Sequence, residues 1–507
     1  MSHHRPGAVI VLAAGEGTRM RSTTPKVLHE IGGRSLLGHA VAAARSLSPE
    51  QLVVVVRHER DRVAGHVEQI DPAVIIADQD EVKGTGRAVR CGLDALPAQP
   101  AGTVVVTYGD VPLLSGELLA DLVAVHEVAG TAATVLTAHV ADPTGYGRVL
   151  RDDVGAVLGI VEHKDATEEQ RAVTEINSGI YAFDAKVLVD ALGRIGTDNS
   201  QGEMYLTDVL ALARADGLAV AAFGTDDVWQ VEGVNDRVQL AALGRELNRR
   251  TIERWMRAGV TVVDPATTWV DADVVLEADS TLLPGTQLHG VCRVAAGATV
   301  GPDTTLTDCE IGPGATVVRT HGSGAAIGAG ATVGPFSYLR PGTRLGVKGK
   351  IGAFVETKNA RIGDGSKVPH LSYVGDATIG ESTNIGAATV FVNYDGVVKH
   401  RTTIGDHVRV GSDTMLVAPL SIGDGAYTAA GSVITQDVPA GAMAVARGRQ
   451  RNVEGWVERA RSGSASAQAV ARLRDAQQSA QQSAPETVPG STAVPGSTDV
   501  TGGGDQV

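Results

Sequence analysis

Two sets of side chains, far apart in this 507-residue sequence, have the types and spacing to do chemistry. In the first, the apolar run Ala8–Leu12 leads straight into Leu12-Ala13-Ala14-Gly15-Glu16-Gly17-Thr18-Arg19-Met20, and Pro25-Lys26 follows. Glycines at a strand end let backbone N–H groups approach phosphate oxygens, while Arg19 and Lys26 add positive charge. A second apolar run ends in Tyr108-Gly109-Asp110-Val111-Pro112, where a carboxylate can hold Mg²⁺ against a triphosphate. Taken singly, a glycine pair after a strand is as often a plain turn, and such an aspartate is more often a helix N-cap. A dinucleotide-binding fingerprint is excluded, because Met20 stands where its third glycine belongs, and no Walker loop occurs.

The second set gathers around His370, in Val368-Pro369-His370, with Arg340, Lys358, Tyr373 and Asn384 nearby and the segment Phe391–Gly396 beyond. Imidazole accepts protons near neutral pH, and two cations suit a phosphate dianion. A lone histidine in such surroundings is more often a solvated turn residue, so the weight rests on the group.

These residues must be positioned by two unlike architectures. From Ala8 to about Val231, strand-like runs (Ala8–Leu12, Leu52–Val56, Thr103–Thr107) alternate with helical ones (Leu36–Ser46, Gly86–Ala95). That alternation predicts an α/β domain with a parallel, Rossmann-like sheet and ligands off the carboxyl ends of its strands. A helix is expected from about Asp236 to Ala258, with Leu240, Leu243, Leu247 and Trp255 on one face and Gly259 as its stop. From about Thr261 to Val445 an aliphatic residue returns every six positions, as in Ile327 and Val333, or Ile404, Val410, Leu416 and Ile422. Six residues suit a short strand plus a turn, one side of a three-sided parallel β-helix. The period breaks around Phe391–Gly396, which predicts a surface loop there. The expected domains are 1–234, a linker helix at 235–259, the β-helix at 260–456, and a low-complexity, disordered tail at 457–507 in which Ser464–Ser483 can form a helix.

Composition narrows the partners. A formal net charge of -14 argues against nucleic acid or a membrane surface. Cys91, Cys292 and Cys309 show no metal or redox spacing, the N-terminus lacks signal-peptide shape, and no apolar run reaches membrane-spanning length. A cytoplasmic protein is expected.

Taken together, the motifs carry a resemblance. Gly-x-Gly-Thr-Arg-Met with Pro-Lys behind it resembles the signature of sugar-1-phosphate nucleotidyltransferases. Gln79, Gly84-Thr85-Gly86, Gly145-Tyr-Gly147-Arg148, Val161-Glu162-His163-Lys164, Asn177-Ser-Gly179 and Val231-Glu-Gly-Val-Asn235 match their uridylyltransferase branch in order. The repeat resembles the hexapeptide transferases, whose coils are left-handed and usually trimeric. From about Ala8 to Trp456 the chain is similar to the bacterial bifunctional N-acetylglucosamine-1-phosphate uridylyltransferase / glucosamine-1-phosphate acetyltransferases.

The resemblance implies roles. Leu12, Ala13, Ala14, Gly15, Tyr108 and Gly109 would line the nucleotide site, with Arg19 and Lys26 catalytic. Gln79, Gly84 and Thr85 would read uracil; Gly147, Glu162 and Asn177 would hold N-acetylglucosamine; Asp110 and Asn235 would bind Mg²⁺. His370 would be the general base of acetyl transfer, oriented by Glu356. Arg340, Lys358, Tyr373 and Asn384 would bind the sugar phosphate, and Ala387, Asn393, Tyr394, Ser412, Ala430 and Arg447 acetyl-CoA. UTP and acetyl-CoA would be substrates. His370 and Arg447 lie more than four eighteen-residue coils apart, roughly 20 Å at ~4.8 Å per coil, so neighbours in a homotrimer are expected to share each acetyl site. The alternative is a single-function nucleotidyltransferase whose β-helix is structural or regulatory.

Overall fold

The computed structural model describes residues 5–482. The first domain is a layered α/β structure. Its main sheet runs, edge to edge, Val220–Thr225, Ala133–His139, Glu175–Asp184, Thr103–Tyr108, Ala8–Leu12, Gln51–Val56 and Ile75–Asp78. The expected strands and helices fall within a residue of their predicted ends. Within this mainly parallel sheet one strand runs the other way: Glu175–Asp184 is antiparallel to both its neighbours. It comes out of a side hairpin, Arg148–Arg151 with Val157–Val161, and so enters the sheet from the opposite end.

The central strands alternate between two buried apolar layers. Val9 and Val11 face one, whereas Ala8, Ile10 and Leu12 face the other. Burial on both faces is why these runs read as continuous hydrophobic stretches.

The linker helix, Arg237–Arg257, is capped by the Asp236 side chain, which accepts from the amides of Val238 and Gln239. Leu243 is buried between helix and first domain together with Leu240 and Leu247, while Trp255 packs onto the β-helix core. The hairpin that follows Lys26 also reaches the first coil. Gly32 accepts the Ala272 N–H at 2.8 Å, and Arg34 binds Asp273 at 2.5 Å. Gly33, at φ +73°, leaves room there for the Asp271 carboxylate, which a Cβ would overlap.

Beyond Gly259 the chain winds as a left-handed parallel β-helix. Thr261–Val262 starts one face, whose strands pair in parallel as far as Met443–Ala444. The other two faces join in a second, continuous parallel sheet. The six-residue period maps onto the interior: Ile327, Val333, Leu345, Ile351, Ile379, Ile385, Ile404, Val410, Leu416, Ile422 and Ile434 are all in one core. Phe336, Phe354, Leu371, Ala388 and Asp413 hold positive φ at one corner of successive coils.

The chain divides into two compact units at Ala446/Arg447. In the second, the helix Ala465–Gln482 matches the one expected near Ser464–Ser483 and buries no residue. The rest of the expected disordered tail, 483–507, lies outside the described residues.

Candidate functional sites

Leu12 and Tyr108 are register partners at the carboxyl ends of adjacent parallel strands. The loop after Leu12 is held open by two tight approaches. The Gly109 N–H donates to the Leu12 carbonyl at 2.9 Å, and the Ala13 N–H to Val55 at 2.8 Å. Gly17, at φ +62°, lets the loop lie directly on Lys26, whose Cβ a side chain there would overlap. Lys26 forms an ion pair with Asp110, both largely buried. Arg19 donates to the Asn235 side-chain oxygen at 2.6 Å, and the Val234 N–H donates to the Asp110 carbonyl at 2.9 Å. Thus Arg19, Lys26, Asp110 and Asn235, spread over more than two hundred residues of sequence, meet at one strand end.

The carboxylate and amide oxygens of Asp110 and Asn235 are hard donors, as a divalent cation of the Mg²⁺ type requires. Each already faces a positive group. Among the described residues no cluster of three or more His, Cys, Asp or Glu could hold a metal. An ion here would take most of its ligands from phosphates and water, which fits a nucleotide-bound cation.

On one flank, Gln79 donates to the carbonyls of Val82 and Gly84 at 3.1 and 3.3 Å. Thr85 accepts the Leu206 N–H at 3.1 Å. Gly84, at φ +114°, packs its backbone against Met204. On the other flank Gly147, Glu162 and Asn177 converge. The Gly147 carbonyl accepts the Asn177 N–H at 2.9 Å, and a Cβ on Gly147 would lie 3.4 Å from Glu162 Oε1. A β-bulge between Asn177 and Tyr181 turns the Asn177 oxygen to accept from the Tyr181 hydroxyl and the Gly179 N–H, both at 2.9 Å. Burial, with help from Asp165 and Asp208, pushes the Glu162 carboxyl up. Burial also raises the Tyr108 phenol, reinforced by Asp110 and Glu162. Tyr181 escaped the sequence reading because a tyrosine in a strand carries no signal of its own.

On the β-helix, Lys358 and Gly375 are register partners, as are Glu356 and Tyr373. Arg340 donates to Glu356 at 3.0 Å. Glu356 therefore serves Arg340, and no hydrogen bond joins it to His370 among the described residues; its expected orienting role is withdrawn. His370 ends its strand one residue before the corner at Leu371, and its ring is exposed. Lys358 stands 4.0 Å from Asp376, and Asn393 donates to Asp376 at 2.5 Å and, more weakly, to the Tyr373 hydroxyl at 3.5 Å.

Two residues of this cluster were missed. Lys399 lies beside Lys358 and pushes its ammonium down. Burial works against the charge on Asp376, yet Asn359, Asn393 and the two lysines outweigh it and hold the carboxyl low. Lys399 lies three residues past Phe391–Gly396, where the period breaks, whereas Asp376 is revealed only by coil register.

The remaining expected residues divide. Ala387, Ser412 and Ala430 stack at one corner in consecutive coils, linked by Asp413 N–H to the Ala387 carbonyl at 2.7 Å and Gly431 N–H to Ser412 at 2.9 Å. Asn393 and Tyr394 lie past the next face. Asn384 opens a strand four residues before the corner at Ala388, whereas Lys358 lies four residues after the corner at Phe354, on a different face. Arg447 begins the second unit.

Comparison with known proteins agrees with both halves. The family profile of MobA-like NTP transferase domains matches residues 9–173. The bifunctional protein GlmU of Pseudarthrobacter chlorophenolicus is 67% identical over 91% of this chain and 94% of its own. That of Kineococcus radiotolerans is 65% identical over 93% and 96%, and that of Streptomyces avermitilis 62% over 93% and 98%. The chain belongs to the GlmU family: it is a bifunctional uridylyltransferase and acetyltransferase of UDP-N-acetylglucosamine synthesis.

Proposed function

We propose that the two sites act in sequence, with the roles divided between the clusters just described. On the β-helix, His370 takes a proton from the amine of glucosamine-1-phosphate while Arg340, Lys358 and Lys399 hold the phosphate. The freed amine attacks the thioester carbonyl of acetyl-CoA; the C–N bond forms, the C–S bond breaks, and the proton the nitrogen then loses passes to the sulfur, so that coenzyme A leaves as the thiol. In the first domain a phosphate oxygen of N-acetylglucosamine-1-phosphate attacks the α-phosphorus of UTP, and pyrophosphate leaves. Gly147, Glu162 and Asn177 position the sugar, and Gln79, Gly84 and Thr85 the uracil. Asp110 and Asn235 would hold a divalent ion, which we take to be Mg²⁺ and which supplies charge neutralisation at the phosphates when bound. Lys26 and Arg19 turn from Asp110 and Asn235 to those same phosphates.

The observation that carries this reading is the meeting of Arg19, Lys26, Asp110 and Asn235 at one strand end, separate from the Arg340, Lys358, Tyr373 and Asn393 group. Because the sites share no residue, Asp110→Ala should abolish uridylyl transfer and spare acetylation, and His370→Ala should do the reverse. Full uridylyl turnover by Asp110→Ala would sink the metal assignment.

The faces support acetyl sites shared between chains, as in a homotrimer. Lys358 and Asn384 each lie four residues from a corner, about 13 Å of strand, on faces that diverge around a filled core. A small sugar phosphate reaches both only if a second copy supplies one of them. We place the enzyme in the cytoplasm, where UTP and acetyl-CoA are made; its cysteines are unpaired, and no described helix is long and apolar enough to cross a membrane.

A further inference from the structure

A groove of about 1070 Å³ runs between the linker helix, Arg237–Arg257, and the first coil of the β-helix. That is at the upper end of small-molecule sites, which span about 300–1,000 Å³. None of its lining residues belongs to either site described above.

The chain has only four tryptophans, and two of them, Trp229 and Trp269, line this groove at 38% and 41% exposure. Met256, 39% exposed, and Pro265 extend the apolar wall. Two indoles left open to water beside one cavity are a costly arrangement without an occupant, and their flat faces favour a planar one.

The charges give the occupant's sign. Glu246 accepts from both Arg249 and Arg250, and Glu253 from Arg249 and Arg257, at 2.6 to 2.8 Å in their closest contacts. Both carboxylates are therefore neutralised by the helix itself. Arg245, which also lines the groove, makes no hydrogen bond or ion pair among the described residues. A guanidinium with all its donors free, lining the same groove as two indoles, recognises a flat molecule carrying a negative group.

We propose that this groove binds a planar aromatic anion, its ring against Trp229 and Trp269 and its acidic group on Arg245. The bound molecule would act on uridylyl transfer. Trp229 belongs to the turn Val228–Gln230, six residues before Asn235. That segment is pinned by Arg250 on Asp227, at 2.7 Å to each oxygen, and by the Ser115 N–H on Gln230 at 3.1 Å. A ligand that fixes Trp229 restrains the segment that carries Asn235. This second step rests on the assignment of Asn235 to the uridylyl site, which Asn235→Ala tests separately.

The test uses the full-length chain and 8-anilinonaphthalene-1-sulfonate, an aromatic sulfonate, with binding followed by fluorescence and stoichiometry by calorimetry. One site per chain is expected. Trp269→Leu should weaken it by about tenfold, and Arg245→Gln by a similar factor of about ten. The uncharged ring analogue N-phenyl-1-naphthylamine should bind more weakly to the unaltered chain and show no difference in Arg245→Gln. Equal affinity of the sulfonate for all three chains, or no binding at all, would overturn the site. Probe at its Kd for the unaltered chain should change that chain's uridylyl rate and leave that of Arg245→Gln nearly unmoved. Binding without any such change would overturn the coupling to Asn235.

Discussion

Replacing Gly84 by alanine should cripple the use of UTP and leave acetylation intact. Gly84 holds φ +114°, and a Cβ there would overlap the Met204 carbonyl oxygen and sit 2.5 Å from the Met204 nitrogen. Both are backbone atoms, so no side-chain rotation relieves the overlap. The segment at Met204 is stitched to the turn by Met204 N–H to Lys83 at 3.0 Å, Gly86 N–H to Met204 at 2.8 Å, and Leu206 N–H to Thr85 Oγ1 at 3.1 Å. Breaking two of these costs about 2 kcal/mol at ~1 kcal/mol each, and the unfavourable φ adds ~1–3 kcal/mol. Relaxation would convert part of this into displacement of Gln79, which bonds the Gly84 carbonyl, and of Thr85. Even ~2 kcal/mol of lost nucleotide binding is about thirtyfold in kcat/KM. The assay is pyrophosphate release at varied UTP, with thiol release from acetyl-CoA measured on the same preparation. KM for UTP should rise by about thirtyfold, while acetylation stays within about twofold because the sites are distant. A chain with unchanged melting and an unchanged KM for UTP would refute the assignment of Gly84 and Thr85 to uracil.

Two further outcomes follow. His39, His66 and His126 are each held below the ordinary histidine value of 6.5, chiefly by burial. The folded chain then refuses protons that the unfolded chain takes up, so their contribution is present above pH 6.5 and is lost as pH falls from there towards the depressed folded values. Tm should decline from about pH 6.5 downward, and His39→Gln should lessen that decline; a flat Tm between neutral and mildly acid pH would contradict it. In a subunit-exchange experiment, Lys358→Ala and Asn384→Ala, each inactive in acetylation alone, should recover about a quarter of the sites when mixed, since each site needs intact residues from two chains. Mixed oligomers verified by native mass spectrometry but showing no recovery would put both residues in one chain's site.

The legibility of this chain in its sequence varied with the kind of signal. A period of six survives in the letters because every sixth side chain stacks on its own equivalent, so the β-helix and its core could be read residue by residue. The loop after Leu12 was legible because glycines, cations and a following Pro-Lys occupy one short stretch. The antiparallel strand Glu175–Asp184 was not, because direction depends on where the preceding hairpin delivers the chain. Asp376 was equally hidden, since its neighbours Lys358 and Asn393 lie in other coils and only register joins them. Glu356 illustrates the opposite error. The resemblance pairs it with His370, but Arg340, one coil earlier, claims its carboxylate.

The most direct test of two sites acting in order is a mass-spectrometric time course with the full chain, glucosamine-1-phosphate, acetyl-CoA, UTP and Mg²⁺. N-acetylglucosamine-1-phosphate should appear first, with coenzyme A, and then be consumed as UDP-N-acetylglucosamine and pyrophosphate accumulate. UDP-glucosamine forming ahead of any acetylated sugar, or UTP consumed with no acetyl transfer at all, would contradict it.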